Sequence, residues 1–236
     1  MTDTSGRPII RLNRKVSRTF SVIVIAAVVC ALMPVGANAY VQTPIFRSQG
    51  NVTEVVDPQN ATNDVIRFNS TETGFSSVTR DLRAKDLQVE DMTNMVSVKY
   101  FFVDRTCAGG SPRFQLNIDT GDGTVHNAFG YFGNTAFGGG CVPNRWVYED
   151  LANLATTGAT WDLTQFGGGF TNTWAQVVQF FATFYPDNTV RACGVFDDSG
   201  SFAPTSLGVV YLDNVQCHDR VLEDHQDVAP GLNNPF

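Results

Sequence analysis

From Asp64 onward, apolar residues recur at every second position in short runs separated by Gly, Asn, Asp and Pro, the pattern of strands half-buried in antiparallel sheets. Val65, Ile66 and Phe68 open the first run, and Leu87 and Val89 suggest a second. Between Met95 and Val103, Val96, Val98, Tyr100 and Phe102 alternate with Ser97 and Lys99. From Arg113 to Asp119, Phe114, Leu116 and Ile118 point one way and Arg113, Gln115, Asn117 and Asp119 the other, which predicts one face toward a core and one toward water. Thr120-Gly-Asp-Gly-Thr124 turns the chain, and Phe129, Tyr131 and Phe132 lie on the return, so residues 108–133 read as a hairpin. Trp146 to Asp150, Trp161 to Leu163, Val190 to Phe196 and Leu207 to Cys217 bring the set to about ten short strands.

One segment has a different period. Trp174, Val177, Val178, Phe181 and Phe184 recur at helical spacing, Thr173 can cap the start and Pro186 ends the run, which predicts a helix over 173–185. Residues 40–63 are polar, with Pro44 and Pro58, and predict a flexible lead-in with one short strand at 52–56. The acidic stretch 220–236, with Pro230 and Pro235, predicts a loose tail. Residues 64–219 then form a single all-β domain, an antiparallel sandwich or barrel with one helix packed against it.

Residues 1–39 stand apart. Arg7, Arg11, Arg14, Lys15 and Arg18 precede a short apolar run from Val22 to Met33, and Ala37-Asn38-Ala39 fits a small-x-small cleavage site. This is the pattern of a secretory signal peptide cut after Ala39. The apolar run ends at Pro34 and Gly36, short of the roughly 18 residues a membrane span wants. Val28 and Val29 before Cys30 are not the small residues of a lipobox. Removing this segment takes five basic and one acidic residue from totals of 16 and 23, leaving 11 against 22. A chain so acidic lacks the clustered Lys and Arg that a nucleic-acid backbone or an anionic membrane surface requires. Neutral glycans and cations stay compatible.

Four cysteines remain, Cys107, Cys141, Cys193 and Cys217, an even number in an exported chain, which predicts two disulfides. Three connectivities exist; Cys107 with Cys141 and Cys193 with Cys217 are favoured because each closes a local loop. No Cys-x-x-Cys pair is present, and His218 and His225 lack zinc spacing. Asn51, Asn60 and Asn69 head three acceptor sequons, which arise readily by chance in Asn- and Thr-rich sequence.

The last strand, Tyr211-Leu-Asp-Asn-Val215, resembles the closing Tyr/Phe-x-Asp-Asn-Val strand of jelly-roll carbohydrate-binding modules and related galactose-binding-like sandwiches. That resemblance implies a jelly-roll-like β-sandwich and glycan binding or a structural calcium; the helix at 173–185 is not a regular part of that family's core. Asp119 and Asp122 flank a glycine-rich turn, as carboxylates converging on a hard cation would, with Asp197, Asp198 and Asp213 as more distant candidate ligands. Asp and Gly are also ordinary turn residues, and the turn lacks the EF-hand pattern. Trp146, Tyr148, Trp161 and Tyr131 are candidates to stack on sugar rings, whereas Trp174 belongs to the apolar face of the helix.

Catalytic motifs are missing. Adjacent carboxylates such as Glu149-Asp150 and Asp197-Asp198 point to opposite faces of a strand and cannot flank one glycosidic bond; only a cross-strand pair such as Glu149 with Asp162 could. His126 has no triad setting, and no Gly-x-Ser-x-Gly elbow or phosphate-cradling loop exists. The sequence therefore predicts an exported, extracellular, non-enzymatic sandwich that binds carbohydrate or a cell-envelope component. An exported glycan hydrolase and a structural or adhesive surface protein are the alternatives.

Overall fold

The computed structural model describes residues 45–71, 74–107, 111–134, 140–155, 159–198, 207–222 and 228–230. The expected signal peptide, residues 1–39, lies outside them. Thirteen strands are found among the described residues: β1 (Phe46–Gly50), β2 (Val52–Asp57), β3 (Asn60–Ser70), β4 (Phe75–Asp81), β5 (Val96–Phe102), β6 (Arg113–Asp119), β7 (Val125–Tyr131), β8 (Trp146–Asp150), β9 (Thr160–Asp162), β10 (Thr189–Asp198), β11 (Gly208–Cys217), β12 (Arg220–Leu222) and β13 (Val228–Pro230). The first sheet runs β13-β1-β4-β10-β6-β7-β9, and the second runs β2-β3-β11-β5-β8 with β12 beside β11. Apart from the parallel pair β1 and β13, every pairing is antiparallel.

Eight of these strands carry the topology. Lettered B to I in chain order, β3, β4, β5, β6, β7, β8, β10 and β11 give one sheet as B-I-D-G (β3-β11-β5-β8) and the other as C-H-E-F (β4-β10-β6-β7). That is the double Greek key of a jelly roll, so the all-β sandwich expected from the alternating pattern is the observed fold. Between the sheets lie Phe68, Val98, Tyr100, Phe102, Phe114, Leu116, Ile118, Val195, Val210 and Leu212, all buried.

Two clamps tie the sheets together. At one end Asp197 of β10 is fully buried and pairs with Arg105, which follows β5, at 3.1 Å. Asp197 also accepts from the Ser111 hydroxyl at 2.7 Å and from the Ser70 hydroxyl. Arg105 donates further to the carbonyls of Gly208 and Ser111. At the other end a disulfide joins Cys193 of β10 to Cys217 of β11, with Cα atoms 6.0 Å apart, and Arg80 of β4 donates to the Cys217 carbonyl at 2.5 Å. The second disulfide, Cys107 to Cys141, spans 34 residues and ties the segment after β5 to the approach to β8. Both pairings are those favoured by local loop closure.

The helix α1 (Trp174–Phe184) begins at Thr173, whose side chain accepts from the Gln176 amide in a reciprocal capping box. Its inward face, Trp174, Val177 and Phe181, plugs one end of the sandwich. Trp174 lies 5.1 Å from Trp161, and Phe181 lies 4.9 Å from Phe166. Gly130 on β7 is required by this packing, because a Cβ there would stand 2.9 Å from the Trp161 ring.

Three expectations are corrected. Residues 40–63 are not a flexible lead-in where described: the strand expected at 52–56 is β2, and β1 and the start of β3 flank it, their polar outward residues hiding the strand signal. Leu87 and Val89 do not make a strand; Val89–Met92 is a 3₁₀ turn with Val89 and Met92 buried. In the tail, β12 extends the β11 edge and β13 pairs with β1. Among the described residues no helix is long and apolar enough to cross a membrane.

Replacing Asp197 by Ala strands Arg105 in the interior, so urea unfolding is expected to show a loss of about 3 to 5 kcal/mol. Asp198→Ala removes a partly exposed ion pair with Arg113 and is expected to cost less than about 1 kcal/mol. Equal losses for the two variants would remove the clamp from its central role.

Candidate functional site

The outward face of the first sheet is where the simple alternation rule fails in an informative way. Gln115, Asn117 and Asp119 of β6 point away from the core, yet they are only 5%, 3% and 6% exposed. Asn117 and Asp119 lie in the floor and wall of a groove of about 470 Å³, lined also by Arg47, Thr79, Arg80, Asp81, Arg83, Val125, Asn127, Arg191 and Ala192. Register explains the assembly. Asp81, Ala192, Asn117 and Asn127 stand side by side on β4, β10, β6 and β7, and Arg47, Thr79, Gly194, Gln115 and Phe129 form the neighbouring row.

Two of the groove's carboxylates are held by arginines. Asp119 accepts from Arg191 Nη2 at 2.5 Å and Nε at 3.2 Å, and Arg191 sits where the register between β10 and β6 shifts, a bulge that re-aims a side chain. Asp81 is paired with Arg83. These arginine hydrogen bonds are the main reason both carboxyls titrate below the ordinary aspartate range. On the floor, Asn117 Nδ2 donates to Asn127 Oδ1 at 2.7 Å, while Asn117 Oδ1 is buried with no partner among the described residues. Gly194 keeps the floor open: a Cβ there would lie 2.1 Å from the Val78 carbonyl oxygen, so β4 and β10 approach closely and no side chain separates Thr79 from Gln115.

The four aromatics read as candidate sugar platforms scatter. Trp161 is fully buried, its Nε1 donating to the Leu151 carbonyl at 2.9 Å; it is a core residue because β9 turns it under the helix. Tyr131 is 7% exposed, and its hydroxyl donates to Asp162 at 3.1 Å. Trp146 and Tyr148 do share one face of β8, on the second sheet. Tyr148 is 63% exposed. Trp146 is half-buried, with Lys99 Nζ 4.6 Å above its ring and its Nε1 donating to Asp57 at 3.1 Å. The structure thus leaves one exposed ring of the four, on the sheet opposite the groove.

The carboxylates read as candidate calcium ligands do not converge. Asp119 faces Arg191, and its other oxygen accepts from the Gly121 and Gly123 amides. Asp122 is tied into the turn by the Thr120 hydroxyl at 2.7 Å and the Thr124 amide at 2.8 Å, contacts that pull its carboxyl down to about 2. Asp197 is taken by Arg105, Asp198 by Arg113 and Asp213 by Lys99. Among the described residues no group of three or more His, Cys, Asp or Glu could hold a metal ion. The Asp119 and Asp122 carboxylates close a turn.

The cross-strand acid pair is also not formed. Glu149 lies on β8 of the second sheet and Asp162 on β9 of the first. Asp162 accepts from Tyr131 and from the Thr164 amide. Glu149 accepts from the Tyr100 hydroxyl and the Gly133 amide, both at 3.1 Å. Burial pushes the Glu149 carboxyl up to about 7, against those two hydrogen bonds, and the phenol it meets is raised above the ordinary tyrosine value by its own burial and by this carboxylate.

Compared with known proteins, the chain matches no family model and no curated protein sequence. The groove was only half legible beforehand. Gln115, Asn117 and Asp119 are on the face expected, but Arg47, Thr79, Asp81 and Arg83 come from segments with no clean alternation. In β4, Phe-Ser-Ser-Val-Thr-Arg-Asp, the inward residues include Ser76 and Arg80, and only Val78-Thr79 carries a strand signal.

A carboxyl whose folded pKa is raised binds its proton more tightly in the folded state, so Glu149 makes stability fall as pH rises from about 4.5 to about 7. Glu149→Gln is expected to abolish that part of the slope. Melting temperatures of the two proteins should diverge in favour of the variant above pH 7 and converge below pH 4.5; parallel curves would show that Glu149 titrates as an ordinary surface acid.

Proposed function

We propose that this protein is an exported, non-enzymatic carbohydrate-binding β-sandwich whose ligand lies along the groove of the first sheet. The observation that carries this reading is the floor amide of Asn117, 97% covered by its surroundings yet with one polar atom unpaired among the described residues. Burying such an atom costs about 1 to 3 kcal/mol unless a partner arrives. A hydroxyl both donates and accepts, so it satisfies this amide whichever way the amide is turned. Around it stand Asn127, Thr79 and the Arg191–Asp119 and Arg83–Asp81 pairs, planar or small polar groups of which all but Arg83 are borne on strands. Strand-borne groups of this kind lose little freedom on binding.

Two disulfides and the amino-terminal pattern of residues 1–39 support export. A hydrolytic role has less support, since Glu149 and Asp162 stand on opposite sheets and each is committed to hydrogen bonds within the fold. Residues Trp146 and Tyr148 remain as a small surface on the other sheet and serve as the internal alternative for the binding face.

Titration calorimetry with a panel of soluble oligosaccharides tests the assignment. Asn117→Ala is expected to weaken the bound glycan by about tenfold, the equivalent of about 1.4 kcal/mol, with the melting temperature little changed, while Tyr148→Ala leaves affinity intact. Loss with Tyr148→Ala and not with Asn117→Ala would move the site to the second sheet. Absence of binding across the panel would overturn the reading.

A further inference from the structure

Charge in the groove runs against charge in the chain. The protein carries 16 basic and 23 acidic residues, a formal net charge of −7, but four arginines, Arg47, Arg80, Arg83 and Arg191, line the groove against two carboxylates, Asp81 and Asp119, with Arg80 spent on the Cys217 carbonyl and Asp219. Arg83 and Arg191 are already engaged by those carboxylates. Arg47 is exposed at the lip on β1, and among the described residues its side chain makes no hydrogen bond or close ion pair, although its charge helps hold the Asp81 carboxyl low. A patch of the opposite sign in an acidic surface focuses an attractive potential for anions. A guanidinium with its fork unoccupied is the side chain best matched to a planar carboxylate, which it holds by two parallel hydrogen bonds.

We infer that the groove selects an acidic oligosaccharide, one whose sugar carboxylate is held by Arg47 while hydroxyls of a neighbouring ring meet Asn117 on the floor. This rests on the carbohydrate reading above and narrows it to a ligand class. The spacing fits an oligosaccharide better than a single sugar. Arg47 on β1 and Asn117 on β6 are separated by β4 and β10, three strand spacings or roughly 14 Å, and their rows are two residues apart along the strands. One monosaccharide cannot bridge that distance, whereas a short chain lying across the strands can. Asp119 on β6 repels a carboxylate from the floor of the groove, which favours the negative charge at the Arg47 lip, where Arg83 already offsets Asp81.

The test compares a trigalacturonate with its methyl ester, which keeps the ring hydroxyls and length but removes the charge. Calorimetry is expected to show the acid bound about tenfold or more tightly than the ester, with the preference shrinking as salt is raised. Arg47→Gln should bring the ratio of acid to ester affinity close to one. Arg220→Gln, which removes an exposed charge from β12 on the other sheet, should preserve the ratio. Equal binding of acid and ester by the unmodified protein, or an unchanged ratio in Arg47→Gln, overturns the acidic-ligand inference while leaving carbohydrate binding in place. If neither compound nor any neutral oligosaccharide binds, both readings fall together. A circular dichroism melt of Arg47→Gln matching the parent excludes misfolding as the cause of a lost preference.

Discussion

The buried pair of Arg105 and Asp197 is the constraint on which this sandwich depends. Neither charge has access to water, and an unpaired ion in that position costs several kcal/mol, so the segments that supply its partners must all arrive. Those segments are the ends of β3 and β5, the approach to β6, the end of β10 and the start of β11. Because they belong to both sheets, satisfying one carboxylate fixes how the sheets meet at that end. At the opposite end Cys193 to Cys217, with Arg80 on the Cys217 carbonyl, does the same by a covalent bond. With both ends held, the outward face of β4, β10, β6 and β7 keeps a fixed curvature, and apart from Arg83, just past β4, the residues that line the groove are borne on strands.

That face shows how polar residues are used when a sheet is walled. In β6 the outward residues are as buried as many core residues, but they are kept polar, and most of their capacity is met by neighbours on adjacent strands. Asp119 has Arg191 and two backbone amides, and Asn117 has Asn127. Asn117 Oδ1, buried without a partner among the described residues, stands where several strands bring small or planar groups together. Elsewhere the fold satisfies its buried carboxylates closely, as Glu149 and Asp162 illustrate. The same economy explains why acidic residues that looked like metal ligands in the sequence are spread among arginines, a lysine and turn amides.

The sandwich, the helix and the two disulfides could be read from the chain because each rests on a local signal: alternation in β5 and β6, helical spacing from Trp174 to Phe184 with Thr173 at its start, and short loops between cysteines. Strand β2 was legible at 52–56, but β1 and β4 were hidden; in β4 the inward positions hold Ser76 and Arg80, whose role is decided by partners far away in sequence. The ordering of strands into two Greek keys could not be read from alternation, since period two assigns a face and not a neighbour. The candidate site was partly legible for the same reason. Its floor on β6 obeys the alternation, but its burial and its wall of arginines appear only when β1, β4 and β10 are set beside it. Aromatic residues misled in the opposite direction: Trp161 carries the same side chain as a sugar platform, and only its position beneath α1 shows it to be core.

The Arg105 and Asp197 cluster also bears on how the chain reaches its folded state. Its hydrogen bonds join residues separated by 92, 127 and 86 positions, so the contact order of this region is high and closure entropy precedes any reward. Half of the sandwich would carry an uncompensated interior ion, which makes partial structures poor resting places and favours assembly as one cooperative unit. Such a core delays compaction until the segments from β3 to β11 are all present, so that the disulfides close on a chain whose ends are already held together.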